Sequence, residues 1–206
     1  IAPVIELYHH MVGAGNLDGA WKLLYERLVP NPLHYQFGAY QLMIELKRAL
    51  FPDSEDKLPR LKREDAQAWT LNGLANSYSL SGQPRRAVPL FESLIALQEK
   101  GISSPGSFSV HEWKSQFAIG LGNVADVQLK IGSLSAAERN LRRSIDLHRE
   151  IADEFWEGVG HQDLGLLLSY RGAWQEAEEE LDIGLKLFEE HHAVQSEGLI
   201  WSYRAL

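Results

Sequence analysis

Apolar and small residues recur at fixed distances from four glycines, Gly15, Gly82, Gly132 and Gly172. Residues three, four and seven apart share one face of a helix, so this spacing predicts one amphipathic helix before each glycine and another after it. Five residues after each glycine comes an alanine: Ala20, Ala87, Ala137 and Ala177. Large apolar residues follow nine residues after it, at Leu24, Phe91, Leu141 and Leu181, and thirteen after it, at Leu28, Ile95, Ile145 and Leu185. Eight residues before the glycine the large apolar residues are Leu7, Leu74, Val124 and Leu164.

Each glycine is expected to end the first helix of its pair, because glycine adopts the left-handed C′ conformation at low cost. Seven residues earlier the chain has a small residue in three of the four copies, Ala75, Ala125 and Gly165, and Tyr8 in the other. Small residues there, and alanines after the turn, allow two antiparallel helices to cross closely. One such pair cannot bury both of its faces, so the pairs are predicted to stack.

The glycines are 67, 50 and 40 residues apart, so the array is irregular at its N-terminal end. The longest step accommodates an extra helix over 33–51, and the step of 50 predicts a loop of about ten extra residues over 101–111. Residues 195–206 are interpreted as the first helix of a further, truncated pair, with Leu199, Ile200 and Trp201 exposed. We therefore expect one solenoid over 1–206, with an irregular part at 1–63 and regular repeats over 64–206.

Three segments carry a resemblance to a known repeat family: LNGLANSYSLSGQPRRAVPLFESLI, GLGNVADVQLKIGSLSAAERNLRRSI and HQDLGLLLSYRGAWQEAEEELDIGL. Their order of small residue, turn glycine, alanine and aromatic or leucine resembles the tetratricopeptide repeat (TPR), although the usual TPR period is 34 residues. The resemblance covers 64–206 and, less closely, 1–30. It implies an all-α, right-handed superhelical solenoid of antiparallel helix pairs.

The TPR resemblance also implies a binding surface, because the first helix of each TPR pair lines the concave face. The expected protein- or peptide-contacting residues are Trp69, Asn72, Asn76, Ser79, Asn123, Asp126, Gln162 and Tyr170. The alternative is a solvated polar groove with no ligand. The carboxylate clamp of chaperone-binding TPRs is not expected, because Asn72 replaces its lysine, and Val159 and Asp163 replace its basic pair.

Composition narrows the function classes further. The net charge of −8 argues against nucleic acid, since binding there depends on neutralising phosphates. The chain has no cysteine, which excludes disulfides and thiolate metal sites and is compatible with the cytoplasm. Glu157 and His161, four residues apart, are two possible metal ligands without a third. No membrane span, catalytic motif, cofactor or metal site is expected, and the chain is interpreted as a binding module rather than an enzyme.

The first hundred residues carry a second resemblance, in LYHHMVGAGNLDGAWKLLYERL, YQFGAYQLMIELKRALFP and AWTLNGLANSYSLSGQPRRAVPLFE. These segments resemble C-terminal TPR arrays of bacterial STAND signalling ATPases, which carry an upstream NACHT or NB-ARC module. The resemblance implies a ligand- or protein-sensing domain of a larger signalling protein. Two alternatives stay open: a structural adaptor that self-associates through its C-terminal helix, and a small-molecule-binding solenoid of a transcription regulator.

Overall fold

The computed structural model describes residues 1–29, 31–51, 54–106 and 108–205. Within these ranges the chain forms ten helices and no strand, so the all-helical architecture predicted from the repeat pattern is confirmed. Ser107 of the expected loop and Leu206 of the expected last helix lie outside the described residues. The helices are α1 (Ala2–Gly13), α2 (Leu17–Arg27), α3 (Tyr40–Arg48), α4 (Glu64–Leu80), α5 (Pro84–Ser103), α6 (Val110–Lys130), α7 (Leu134–Glu150), α8 (Glu154–Tyr170), α9 (Trp174–Glu190) and α10 (Val194–Arg204).

The chain forms two compact units, Ile1–Leu97 and Gln98–Leu206, so that α5 contributes residues to both. In the first unit α1 packs on α2, and α3 packs on α4. In the second unit each helix from α6 to α10 packs on the next one along the chain. The single array over 1–206 stays a prediction, and the helix expected over 33–51 is shorter, because α3 spans only Tyr40–Arg48.

The four anchor glycines end the first helix of each pair, as predicted. Gly15, Gly82, Gly132 and Gly172 have φ angles of 75°, 80°, 81° and 75°. At each turn the glycine and the following residue donate their amides back to the last helical turn; the Ser133 amide, for example, donates to the Gln128 carbonyl at 2.8 Å. These bonds satisfy carbonyls that the helix end leaves without partners.

Two turns of the second unit use the same left-handed geometry without a glycine. Ala152 and His192, which follow α7 and α9, have φ angles of 55° and 54°. The residues after them, Asp153 and Ala193, donate amides to the carbonyls of His148 and Phe188 at 2.9 Å. In these two pairs the second helix therefore ends as the first one does, and the sequence pattern does not predict this, because alanine carries no preference for positive φ.

Small residues allow the close helix crossings that the repeat pattern predicts. Ala20, Ala87, Ala137 and Ala177 are all buried. In the second unit, a Cβ added to Gly165 of α8 would lie 2.6 Å from Leu181 Cγ of α9, closer than carbon atoms can approach. The backbone of α8 therefore lies directly against the side chains of α9.

The ten extra residues between Gly82 and Gly132 are mostly helical, which corrects the expected loop over 101–111. Compared with the next repeat, α5 is three residues longer than α7, α6 is four longer than α8, and the connection is three longer. Gly101 does not end α5, because Trp113 of α6 packs against it so closely that a Cβ there would collide with the indole ring. Trp113 is 1% exposed and covers the end of the core, with the ring of Phe108 5.2 Å away.

The first pair departs from the pattern at the position of Tyr8. The Tyr8 ring is buried, and its hydroxyl donates a hydrogen bond to the Leu46 carbonyl of α3 at 2.5 Å. The preceding Leu7, expected in the core, is instead 50% exposed. Tyr8 thus replaces the small residue of the other three copies, at a position where α1 also contacts α3.

The last helix is only partly as expected. Ile200 is fully buried against Leu181 and Phe188 of α9, which corrects its expected exposure. Leu199 and Trp201 are 46% and 58% exposed, as predicted. One face of α10 therefore completes the core of the second unit, and the adjoining residues face solvent.

Candidate functional site

The second unit contains a cavity of about 270 Å³ on the shared side of α6, α8 and α10. These are the first helices of successive repeats, and α8 contacts both of the others. Buried residues of α7, the helix between α6 and α8 in the chain, complete the cavity wall. The polar and aromatic lining residues are Asn123 and Asp126 of α6, Ser144 and His148 of α7, Trp156 and Asp163 of α8, and Tyr203 of α10.

The repeat places equivalent residues of α6 and α8 in the cavity. Asn123 and Asp163 each stand nine residues before their turn glycine, and Ile119 and Val159 each stand thirteen before it. Positions four apart lie on one helical face, so both helices present the same stripe to the cavity. The groove is therefore formed by the repeat itself, and its chemistry is set by the residues at these positions.

Asp163 and Asp126 make the cavity acidic. The pKa of Asp163 is raised to about 6, chiefly by burial; a hydrogen bond donated by Gln162 opposes the rise, and the charge of Asp126 contributes to it. The Gln162 amide lies 3.3 Å from Asp163 Oδ1. Asp126 is more exposed and pairs with Lys130 at 2.6 Å, one turn along α6. Asp163 thus contributes a partly desolvated carboxylate, and in the described part of the chain no basic side chain forms an ion pair with it.

Two aromatic groups and a histidine lie beside the carboxylates. Burial, and then the charge of Asp163, raise the pKa of the Tyr203 phenol. The rings of His148 and Trp156 stack with centroids 6.3 Å apart. Burial lowers the pKa of His148, against the opposing charges of Asp153 and Glu157, so the ring is favoured in its neutral form.

The buried His148 ring has an unsatisfied polar atom. His148 is 2% exposed, and its Nδ1 forms no hydrogen bond with any described residue. The carboxylate oxygen Asp153 Oδ2 lies 3.8 Å from Nδ1, beyond hydrogen-bonding distance. A buried nitrogen without a partner is costly, and this Nδ1 is closed off from the cavity, since it has almost no accessible surface.

The structure distributes the site residues expected in the second unit over different environments. Asn123 and Asp126 line the cavity. Gln162 is buried and turned toward Asp163, and Tyr170 is 61% exposed outside the cavity lining. The sequence reasoning did not include Asp163, His148, Trp156 and Tyr203 among the contact residues. Asp163 could have been found by choosing the position nine before the turn glycine rather than ten.

In the first unit, the expected site residues lie on α4 and are partly engaged in packing. Trp69 contacts the rings of Trp21 and Tyr25 of α2 at centroid distances of 6.1 and 5.3 Å. The Asn76 amide donates to Asn72 Oδ1 at 3.3 Å, and Ser79 is buried. The position of the Trp69 ring is therefore set by packing within its own unit. A role in binding for Trp69, Asn72, Asn76 and Ser79 stays a prediction.

Glu157 and His161 belong to an ion-pair network between α7, α8 and α9. His161 Nδ1 lies 2.5 Å from Glu180 Oε2, and its Nε2 lies 3.7 Å from Glu157 Oε1. The Arg149 guanidinium lies 3.3 Å from the same Nε2 and 2.8 Å from Glu157. The network links three helices. The Arg149 guanidinium already occupies the space beside the Glu157 carboxylate and the His161 ring.

Two other kinds of site are absent from the described ranges, a metal site and a membrane span. No group of three or more histidine, aspartate or glutamate side chains there is arranged to hold a metal ion. None of the helices described combines enough length with enough apolar character to cross a lipid bilayer.

Comparisons with known proteins support the repeat family. A family model described as tetratricopeptide repeat matches residues 67–101, and no curated protein sequence matches the chain. The structure is similar to BtubC (BKLC) from P. vanneervenii, with a TM-score of 0.61, 15% identity, and coverage of 99% of this chain and 80% of that one. It is also similar to the nearly identical TPR-like repeats of a putative kinesin light chain from Podosopora anserina, with a TM-score of 0.50, 15% identity, and coverage of 99% and 93%. At this identity the likenesses show a TPR-like fold alone.

Proposed function

We propose that this array of TPR-like helix pairs is a non-catalytic protein-interaction module that binds a peptide segment of its partner in the α6–α8–α10 cavity. The repeat fold suggests an interaction module in general terms. The observation that carries the specific proposal is the cavity, which three successive first helices line with polar and aromatic side chains. Aromatic rings offer large contact areas with few rotamers to immobilise, which suits them to protein contacts.

The size of the cavity favours a side chain of a peptide over a whole metabolite. Its volume of about 270 Å³ is below the roughly 300–1,000 Å³ typical of small-molecule pockets. This argues against the alternative of a metabolite-binding solenoid.

The test selects peptides from a random displayed library against the full chain and measures their affinities by fluorescence polarisation. We expect the double substitution Asn123→Ala with Asp126→Ala to weaken binding more than tenfold, because truncating central contact residues costs about 2 kcal/mol or more. The matched control is Asn140→Ala with Asp146→Ala on α7, outside the cavity lining. Circular dichroism verifies that the helical content of both variants is unchanged.

Peptides that bind both double variants equally well would contradict the cavity as the site. The connection between α5 and α6, or the α4 residues Trp69, Asn72, Asn76 and Ser79, would then be the surfaces to test. A companion double variant, Trp69→Ala with Asn76→Ala, distinguishes these two. The absence of any selected peptide would count against a peptide-binding function altogether.

A self-association role has one observation in its favour. Leu199 and Trp201 of α10 are large apolar residues exposed on either side of the buried Ile200, where a partner chain would cover them. Sedimentation of the chain at micromolar to millimolar concentration tests this role, and Leu199→Ser with Trp201→Ser should abolish any dimer. A monomer across the whole range would exclude it.

The parent protein is proposed to be a bacterial signalling protein in the cytoplasm, with this region as its sensor. Support comes from the resemblance of residues 1–100 to the repeat arrays of STAND ATPases. The proposal predicts a nucleotide-binding module in the parent chain and a change in its oligomeric state when a groove-binding peptide is added. A parent chain without such a module would exclude this role and leave the interaction function in place.

A further inference from the structure

The charge distribution in the α6–α8–α10 cavity identifies the chemistry of the residue that it would accept. Two carboxylates, Asp126 and Asp163, line the cavity, and no described lining residue is lysine or arginine. Asp126 already pairs with Lys130, whereas Asp163 accepts a hydrogen bond from the Gln162 amide and forms no ion pair with a described basic side chain. A cation entering the cavity would therefore meet an uncompensated, partly buried carboxylate.

The aromatic lining favours a flat cation in particular. Trp156 of α8 and Tyr203 of α10 line the cavity together with the Asp163 carboxylate of α8. A guanidinium group stacks on aromatic faces and presents five donors in one plane, whereas an ammonium group is compact and more strongly hydrated. Cation–π contacts of this kind strengthen when the cation is shielded from water.

The His148 ring, which lines the same cavity as Asp163, is compatible with a cationic ligand. Burial lowers the pKa of His148 and favours the neutral ring. The ring therefore adds no positive charge that would repel a guanidinium.

We propose that the α6–α8–α10 cavity is an arginine-side-chain pocket, in which the partner's guanidinium pairs with Asp163 and stacks on the aromatic lining. This inference rests on the proposed interaction function and names the residue that the partner contributes. The net charge of −8 of the whole chain favours the approach of a basic segment.

The experiment titrates the ¹⁵N-labelled full chain with N-acetyl-arginine methylamide and follows amide shifts by NMR. The matched ligand is N-acetyl-citrulline methylamide, which has nearly the same shape but no charge. We expect the arginine probe to shift amides of α6, α8 and α10 with millimolar affinity, and the citrulline probe to bind at least tenfold more weakly. Equal binding of the two probes, or shifts confined to other surfaces, would overturn the proposal.

Two protein variants localise the interaction. Asp163→Asn removes the charge with little change of shape and should weaken arginine binding at least tenfold. Asp146→Asn on the exposed side of α7 changes the net charge equally and should leave the affinity unchanged. Equal losses in both variants would show a general charge effect and no pocket. The wild-type comparison of the two probes does not depend on the folding of either variant.

The peptide selection separates this inference from the function on which it rests. Peptides that bind the cavity and are enriched in arginine support both proposals. Peptides that bind the cavity without a basic residue overturn the arginine pocket and leave the interaction function standing. If the arginine probe binds but no peptide does, the pocket stands and the peptide-binding function fails.

Discussion

Lys47 Nζ lies 3.3 Å from the hydroxyl oxygen of Ser77, in a site where the lysine side chain has no exposed surface. Nζ also lies 5.7 Å from the centroid of the Trp69 ring. Burial lowers the pKa of Lys47 to about 7. A cationic residue of α3 is thus inserted against α4, and it is held where its charged form is poorly solvated.

The lowered pKa of Lys47 makes stability depend on pH. The ordinary pKa of 10.5 applies in the unfolded chain, so between about pH 7 and 10 the unfolded state binds more protons than the folded state. The contribution of Lys47 to the free energy of unfolding therefore rises with pH across this window. Below it, the cost of burying the charge is fully present.

Lys47→Met should remove this pH dependence. We expect the variant to be more stable than the wild type at pH 7, by several kcal/mol and at most about 5, because each pKa unit corresponds to about 1.4 kcal/mol. The advantage should shrink toward pH 10. Urea unfolding at several pH values measures it, and Lys22→Met at an exposed position is the control. Parallel pH profiles for wild type and Lys47→Met would contradict the lowered pKa.

Ala152→Gly should stabilise the second unit. Ala152 has a φ angle of 55°, which is unfavourable for a residue with a Cβ and neutral for glycine. A left-handed conformation costs an L-residue about 1–2 kcal/mol, and the entropy that glycine loses on folding offsets part of the gain. We expect a net gain of about 0.5–1 kcal/mol in thermal or urea unfolding.

The reverse substitution at an anchor glycine is the comparison. Gly132→Ala places a Cβ at a φ of 81° and should destabilise the chain by a similar amount. The same sign of effect for both variants would show that backbone conformation does not control these turns.

Two helical glycines should respond to alanine in opposite directions. Gly101→Ala forces a Cβ into the ring of Trp113 and should cost about 1–3 kcal/mol, as overpacking does elsewhere. Gly198 of α10 has open space around its Cα, so Gly198→Ala should gain up to about 1 kcal/mol from helix propensity. Melting temperatures measure both, and a neutral Gly101→Ala would show that α5 and α6 can separate at no cost.

The crossing of α6 and α7 provides a test of the repeat pattern itself. Ala137 is fully buried, so Ala137→Leu should overpack the crossing and cost about 1–3 kcal/mol. Ser135→Leu, exposed on the same helix, adds the same side chain without a crossing and is expected to change the melting temperature little. Equal melting temperatures for wild type and Ala137→Leu would place the crossing elsewhere.

The turns and crossings could be predicted from the sequence because glycine and alanine are chosen there for reasons that act locally. A turn glycine needs positive φ, and a crossing alanine needs a small volume, so the residue type reveals the requirement. The turn at His192 could not be predicted, because there the hydrogen bonds of the turn outweigh the conformational preference of the residue. Lys47 is similar, because tertiary packing buries a side chain whose type predicts exposure.

The cavity was harder to predict than the fold. Asn123 and Asp126 follow from the helical face that the repeat assigns to them. His148 belongs to the second helix of a pair, and its role depends on how deeply α7 reaches behind α6 and α8. Tyr203 lies in α10, far from Asp163 along the sequence. Nothing in that separation indicates that the two residues line the same cavity.

The contact between Gly101 and Trp113 constrains how a chain of this kind can change length. The three residues added to α5 and the four added to α6 each extend a helix by about one turn, or about 5 Å. The added turn of α5 and the added turn of α6 pack against each other. Trp113 would be exposed to solvent if α5 ended earlier, and Gly101 would be exposed if α6 began later. Insertions and deletions at the far end of a helix pair should therefore occur in both helices together and in whole turns. Homologues with different repeat lengths offer a natural record of that coupled variation.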